Sequence, residues 1–136
     1  DTQRKSDLKQ IQDGLELFYG DKGKYPGASS PTGGLIEACP FAQDSVSPCA
    51  WGKDSMADKD GSGNIRTTYL QRVPEDPKNN LEYCYKASGD GAKYQLFAKL
   101  ENTNDANIVT GTILVCGGNT YNFGAASSNT NLKETL

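Results

Sequence analysis

Residues 1–20 run DTQRKSDLKQIQDGLELFYG and predict an amphipathic α-helix on which the rest of the chain is organised. Apolar residues recur there at intervals of three and four, which places them on one face of a helix. That face consists of Leu8, Ile11, Leu15 and Phe18. The polar residues before Leu8 contain no clear signal for the start of a helix. We therefore expect the chain to begin partway along a longer, truncated helix.

The helix is predicted to end near Tyr19, because turn-forming residues follow at once. Gly20, Gly23 and Pro26 lie within the segment YGDKGKYPG, and each of them favours a turn over a helix. Inside the helix, Gly14 costs roughly 1 kcal/mol relative to alanine. Two interpretations of Gly14 stay open, which are the close approach of a partner segment and a tolerated surface glycine.

The composition favours a single domain with a small core. The chain has 136 residues, of which 35% are hydrophobic, and it contains 15 glycines. A chain of this length supports one domain better than two. The formal charge of -3, from 14 basic and 17 acidic residues, gives no indication of a clustered basic surface for nucleic acid or for a membrane.

Four cysteines supplement this core, and their even number favours two disulfides and an oxidising compartment. They are Cys39, Cys49, Cys84 and Cys116. Structural zinc sites place their ligands in close pairs, whereas these cysteines lie far apart and the chain has no histidine. Three pairings are open. We favour Cys39 with Cys49 and Cys84 with Cys116, because Cys39 and Cys49 are close together in the sequence.

Alternating apolar residues predict an antiparallel sheet in residues 81–116. Strands are expected at residues 81–87 and 93–100, joined by a glycine-rich turn, and a third strand is expected at residues 110–116. A small antiparallel sheet of about three or four strands packed on the helix gives an α+β fold.

The remaining segments are expected to be connections. Residues 27–68 form a long connection between helix and sheet, which we expect a Cys39–Cys49 bridge to pin. Trp51 is expected to anchor this connection on the core, and the alternative is an exposed aromatic recognition site. Residues 117–136, rich in Asn, Ser and Thr, are predicted to be a surface loop or tail.

Catalytic chemistry finds little support in the sequence. The absence of histidine excludes Ser-His-Asp and Cys-His nucleophilic sites and the usual zinc hydrolases. The glycine-rich stretches lack the residues of a phosphate-binding loop. We therefore expect neither an enzyme nor a required cofactor.

One stretch follows the calcium loop of the EF-hand through its first eight places. The residues expected to supply oxygen ligands are Asp58, Asp60, Ser62 and, through its backbone carbonyl, Asn64. Gly61 occupies the position at which the loop turns. The twelfth place, normally a bidentate glutamate, is Tyr69. Two interpretations are open, which are a structural calcium completed by Asp54 or Asp76 and a plain Asp-Gly turn.

Two further segments resemble a known family. The helix runs into DKGKYP at residues 21–26, and YLQRVPEDP follows at residues 69–77. In this order the two motifs resemble the type IV pilin-like proteins, above all the major pseudopilins of type II secretion. The resemblance covers the helix, residues 69–100 and the general layout, and it does not cover residues 27–68 or the tail.

The resemblance implies a pilin-like fold and a structural subunit that polymerises into a helical filament, either for type II secretion or as a type IV pilus. An apolar segment upstream of Asp1 would then anchor the subunit in the inner membrane before it enters a periplasmic or cell-surface filament. Its partners would be copies of itself, other pilins or pseudopilins, and a membrane assembly platform. The alternative is a surface-anchored adhesive or binding module, with or without a dependence on calcium.

Overall fold

The computed structural model describes residues 1–42 and 44–136 and shows an α+β fold. The described residues form one helix, α1 (Thr2–Lys22), and nine strands. The strands are β1 (Phe41–Ala42), β2 (Ser45–Val46), β3 (Met56–Lys59), β4 (Ile65–Leu70), β5 (Cys84–Ala87), β6 (Tyr94–Ala98), β7 (Leu114–Cys116), β8 (Asn119–Tyr121) and β9 (Phe123–Ala126).

Helix α1 packs on the sheets through the apolar face expected from the sequence. Its four residues are buried at 0–1% exposure: Leu8, Ile11, Leu15 and Phe18. They share one core with residues of the sheets, among them Met56, Leu70 and Leu96. Burial of this kind gives roughly 1.5–3 kcal/mol for each large apolar side chain, so this face holds the helix in place.

Helix α1 ends at Lys22, three residues beyond the predicted Tyr19. Gly23 adopts a left-handed conformation with φ 74°, and its N–H donates to the carbonyl of Tyr19. Glycine takes this conformation without a steric penalty, which makes it the residue that ends the helix. Gly20 remains helical because a single glycine inside a helix is only mildly unfavourable.

The sheet beneath the helix differs from the expected one in its third strand. Strands β5 and β6 pair antiparallel as predicted, but the neighbour of β6 is β9 rather than residues 110–116. Strand β7 instead pairs with β8 in a separate two-stranded hairpin. Part of the predicted tail is therefore an integral strand of the sheet.

Small residues explain why β9 takes this place. A Cβ atom at Gly124 would overlap the carbonyl oxygen of Leu96 and lie 3.0 Å from a methyl group of Leu132. Leu132 belongs to a second core on the far side of the sheet, together with Phe97 and Leu114. The missing side chain at position 124 thus lets the C-terminal residues fold back over the sheet.

The connection at residues 27–68 supplies most of a separate sheet with the strand order β2-β1-β3-β4, whose last strand ends at Leu70. The disulfide Cys39–Cys49 closes a loop that contains β1 and β2. Trp51 is buried and meets Tyr83 edge-on, at 6.0 Å between the ring centroids. The second disulfide, Cys84–Cys116, joins β5 to β7 inside the second core. Both disulfides have the pairing that the sequence favours.

Gly14 allows the helix to approach β3 and β4 closely. An added Cβ would lie 2.7 Å from Cε of Met56 and 3.3 Å from both Cβ of Leu70 and the carbonyl oxygen of Tyr69. Met56 is fully buried, so its side chain has little room to withdraw. Of the two interpretations of Gly14, the structure shows close approach.

We expect the substitution Gly14→Val to lower the free energy of unfolding by about 2 kcal/mol, because the added methyl groups overpack this contact. Gly20→Ala is the matched control, since Gly20 is exposed on the same helix with nothing within 4 Å of its added Cβ. That control should raise the free energy of unfolding by about 0.5–1 kcal/mol through helix propensity. Urea denaturation followed by circular dichroism measures both changes, and an unchanged midpoint for Gly14→Val would contradict the packing.

Candidate functional site

A buried ion pair joins the helix to the segment YLQRVPEDP. Arg4 donates through Nε to Oδ2 and through Nη2 to Oδ1 of Asp76, with both distances at 2.9 Å. Both side chains are at least 97% buried. Two parallel bonds of this kind are the strongest geometry for an arginine and a carboxylate, and they fix position as well as distance.

The same guanidinium also ties down residues 101–102. Nη1 of Arg4 donates to Asp1 at 2.9 Å and to Glu101 at 3.1 Å. The carboxylate of Asp1 in turn accepts the backbone N–H groups of Glu101 and Asn102. The hydrogen bond from Arg4 and a second one from Lys78 hold the pKa of Glu101 below its ordinary value.

A second contact holds the following residues on the helix. Nζ of Lys5 lies 2.8 Å from the carboxylate of Asp105 and 3.1 Å from the side-chain oxygen of Asn107. The hydrogen bond from Lys5 lowers the pKa of Asp105. Residues 101–107 are therefore fastened to the first turns of α1 by charged side chains.

Asp7 adds a buried hydrogen bond one turn further along the helix. Its carboxylate accepts the hydroxyl of Tyr83 at 2.6 Å and the side-chain amide of Gln3, also at 2.6 Å. Burial is the main cause that raises the pKa of Tyr83, and the bond to Asp7 adds to it. The tyrosine thus stays a hydroxyl donor, which suits a structural contact.

Our interpretation of the sequence did not identify these buried charges as a unit, although a signal was present. Arg4 lies four residues before Leu8 and so continues the apolar face of the helix toward its beginning. A charged residue on a buried face requires a partner of opposite charge. That partner, Asp76, lies 72 positions away, and only the tertiary structure identifies it.

The residues of the predicted calcium site lie at the hairpin between β3 and β4. Asp58 is buried in β3, where its Oδ2 atom lies 2.9 Å from Nζ of Lys22 and 2.7 Å from Nη2 of Arg66. Two cations of the protein thus already face this carboxylate. Of the two residues considered to complete the site, Asp76 binds Arg4, and Asp54 accepts the N–H of Ala50 at 2.8 Å.

Asp60 organises the turn itself. Its Oδ1 atom accepts the backbone N–H groups of Ser62 at 2.8 Å and of Asn64 at 3.0 Å. These bonds lower the pKa of Asp60, and the bond from Asn64 has the larger effect. In the part of the chain that the structure describes, no group of three or more Asp, Glu or Cys side chains is arranged to hold a metal ion. The calcium site stays a prediction.

The calcium hypothesis predicts that excess calcium raises the melting temperature and that a chelator lowers it again. Asp60→Ala should abolish this response, because it removes one of the two carboxylates of the predicted loop, and the other, Asp58, faces Lys22 and Arg66. Asp90→Ala is the matched control, since Asp90 caps a comparable turn through the N–H of Ala92 at 3.0 Å. A melting temperature that does not change with calcium or chelator would eliminate the site.

For the buried ion pair, we expect Arg4→Met to lower the free energy of unfolding by about 3–5 kcal/mol, because it leaves the carboxylate of Asp76 buried without its partner. Lys9→Met is the matched control on the same helix. Lys9 pairs with Asp13 at 2.9 Å, but both side chains are largely exposed. Such a pair contributes about 0.5 kcal/mol or less. Equal losses in the two variants, measured by urea denaturation, would contradict the importance of the buried pair.

Two crevices flank the buried ion pair. One of about 470 Å³ lies between α1 and the segment YLQRVPEDP and is lined by Gln3, Gln10 and Arg72 among others. The other, of about 320 Å³, is bordered by Trp51 and other apolar residues such as Leu81, and by charged residues such as Lys53. Trp51 therefore contributes to a crevice wall even though it is buried in the core.

Within the described residues, no helix is long and apolar enough to cross a bilayer. The two disulfides indicate an oxidising compartment outside the cytoplasm. Comparison of the chain with protein-family models, with curated proteins and with solved structures finds no match.

Proposed function

We propose that this chain is the globular domain of a type IV pilin-like subunit, a major pilin or pseudopilin that polymerises into a helical filament. The observation that carries the proposal is the buried bidentate contact between Arg4 and Asp76. Two of the segments that the resemblance covers, the N-terminal helix and YLQRVPEDP, are held together by this contact. The parts of the chain that resemble the family therefore form one structural unit.

The arrangement of the helix also supports a role as a spine. One face of α1 is buried in the domain, while the opposite face carries exposed residues such as Lys9, Asp13 and Leu17. Leu17 is 60% exposed, which leaves an apolar side chain on the outer face of the helix. In the proposed filament this face would lie against the helices of neighbouring subunits, where an apolar side chain contributes to assembly.

The proposed subunit needs an apolar segment upstream of Asp1. Such a segment of about 20 residues would anchor the subunit in the inner membrane and then form the filament core. The resemblance implies that a prepilin peptidase cleaves the precursor and that a membrane platform with a cytoplasmic ATPase assembles it. Repeated contacts between unlike surfaces of identical subunits give an open helical polymer.

We predict that the complete gene encodes this apolar segment after a Gly-Phe-type cleavage site, and that its product forms filaments that antibodies against the domain label in electron microscopy. Leu17→Lys should reduce the number of filaments severalfold. Ile65→Lys is the matched control, since Ile65 is 53% exposed but lies on β4 rather than on the helix. Equal loss of filaments in both variants would contradict the role of the helix face.

An ordinary signal peptide together with exported, folded protein and no filaments would contradict the proposal. That result would favour the adhesive or binding module, whose surface would include residues 27–68 and the crevice beside Trp51. A secretion pseudopilin and a pilus subunit are built on the same helix and sheet. The neighbouring genes are therefore needed to separate the two.

A further inference from the structure

Residues 29–35, SSPTGGL, form a loop that packs on the disulfide Cys84–Cys116. Gly33 lies at the centre of this contact and is buried, whereas Thr32 beside it is exposed. A Cβ atom at Gly33 would overlap Sγ of Cys116 and would lie 3.2 Å from Sγ of Cys84. The backbone of residues 29–35, called the strap below, therefore lies directly against both sulfur atoms.

Backbone hydrogen bonds fasten the strap on both sides of the disulfide. Gly34 and Tyr85 exchange two bonds, each of 2.9 Å. The N–H of Gly117 donates to the carbonyl of Thr32 at 2.8 Å. Tyr85 and Gly117 each follow directly after one cysteine of the disulfide. The strap is thus bonded to the chain next to each of the two sulfur-bearing residues.

Glycine is required at the centre of the strap for two reasons. The φ angle of Gly33 is 112°, in a region that residues with a side chain rarely adopt, and the sulfur atoms occupy the place of a Cβ atom. Gly117 faces it from the other side, where an added Cβ would lie 3.1 Å from the carbonyl oxygen of Gly33. Backbone packed this closely on a disulfide leaves no path for an attacking thiolate, and thiol–disulfide exchange depends on such access.

The strap is held mainly by hydrogen bonds. Residues 29–34 are two serines, a proline, a threonine and two glycines, so this part of the strap has no large apolar side chain to bury. Segments with few buried apolar contacts open locally, at a free energy below that of global unfolding. Ile36, which follows the strap, is fully buried in the core and ends the segment that can open.

We propose that the strap is a lid that controls the access of thiols to the disulfide Cys84–Cys116. The closed strap protects the bond, and local opening of the strap exposes it to a dithiol reductant. One thiolate of the reductant then attacks Sγ of one cysteine and forms a mixed disulfide, while the other cysteine leaves as a thiolate. The second thiol of the reductant displaces the first cysteine, so that the reductant becomes a cyclic disulfide and both cysteines become thiols. The proposal does not depend on the proposed filament.

Reduction of the folded chain by dithiothreitol tests the proposal. Alkylation of the released thiols and peptide mass spectrometry give the initial rate for each disulfide separately. We expect Gly33→Ala to speed the reduction of Cys84–Cys116 about tenfold or more, because the added methyl group overpacks the closed strap, and to leave the rate of Cys39–Cys49 unchanged. Gly63→Ala is the matched control, since Gly63 also has a positive φ, of 83°, but nothing lies within 4 Å of its added Cβ.

Ser29→Ala is a milder variant that leaves the contacts of the sulfur atoms intact. Oγ of Ser29 accepts the N–H of Leu35 at 2.8 Å and so closes the base of the strap. Loss of this hydrogen bond should speed the reduction of Cys84–Cys116 about fivefold. This variant decides the matter if circular dichroism shows that Gly33→Ala does not fold.

Gly20→Ala separates opening of the strap from unfolding of the whole domain. This variant is expected to be more stable as a whole, so it slows any reaction that passes through global unfolding. Because Gly20 lies on helix α1, the substitution should leave the rate of reduction of Cys84–Cys116 unchanged if only the strap opens.

Four results would overturn the proposal. The first is reduction of Cys84–Cys116 in the folded chain as fast as in the chain unfolded by urea. The second is an unchanged rate in both strap variants, and the third is an equal acceleration of both disulfides or an equal effect of Gly63→Ala. The fourth is slower reduction in Gly20→Ala, which would show that the whole domain must unfold. Failure of the filament proposal would leave all of these readouts unaffected.

Discussion

The architecture depends on one buried ion pair between residues that are far apart in sequence. Arg4 and Asp76 are both removed from water, and each would be costly to bury without the other. Their pairing places the segment YLQRVPEDP against the first turns of the helix, and the same guanidinium brings Glu101 to the same point. A single side chain thus links the helix to the entry into the sheet and to the loop that follows it.

The features that the sequence predicts well have a local physical origin. The apolar face of α1 follows from its period, and the β5–β6 hairpin follows from alternation around a glycine-rich turn. The disulfide Cys39–Cys49 spans only ten positions, which made its pairing the natural first choice. In each of these cases the interacting residues are neighbours along the chain.

The features that the sequence does not predict depend on distant partners. The strands β1 and β2 are only two residues long, too short for an alternating pattern to be visible. The run Ile113-Leu114-Val115 has the stronger strand propensity, yet β9 fills the place beside β6 because Gly124 leaves room for the carbonyl of Leu96 and for Leu132. At the hairpin of Asp58 and Asp60, the spacing of oxygen-bearing residues is compatible with both a calcium loop and a plain Asp-Gly turn. Only the positions of Lys22 and Arg66 show which charges face Asp58.

The two disulfides also determine how the domain transmits a pulling force between its ends. They close loops over sequence separations of 10 and 32, and force that enters at either end crosses each loop through its sulfur atoms. Residues inside the loops carry no tension, and the fully stretched chain is shorter by about 140 Å than the same chain without disulfides. The hairpin β5–β6 lies between the two cysteines of the longer loop, so its residues are not extended when the chain is pulled out between its ends. The domain is therefore an extensible element with a fixed limit, set by covalent bonds rather than by the strength of its packing.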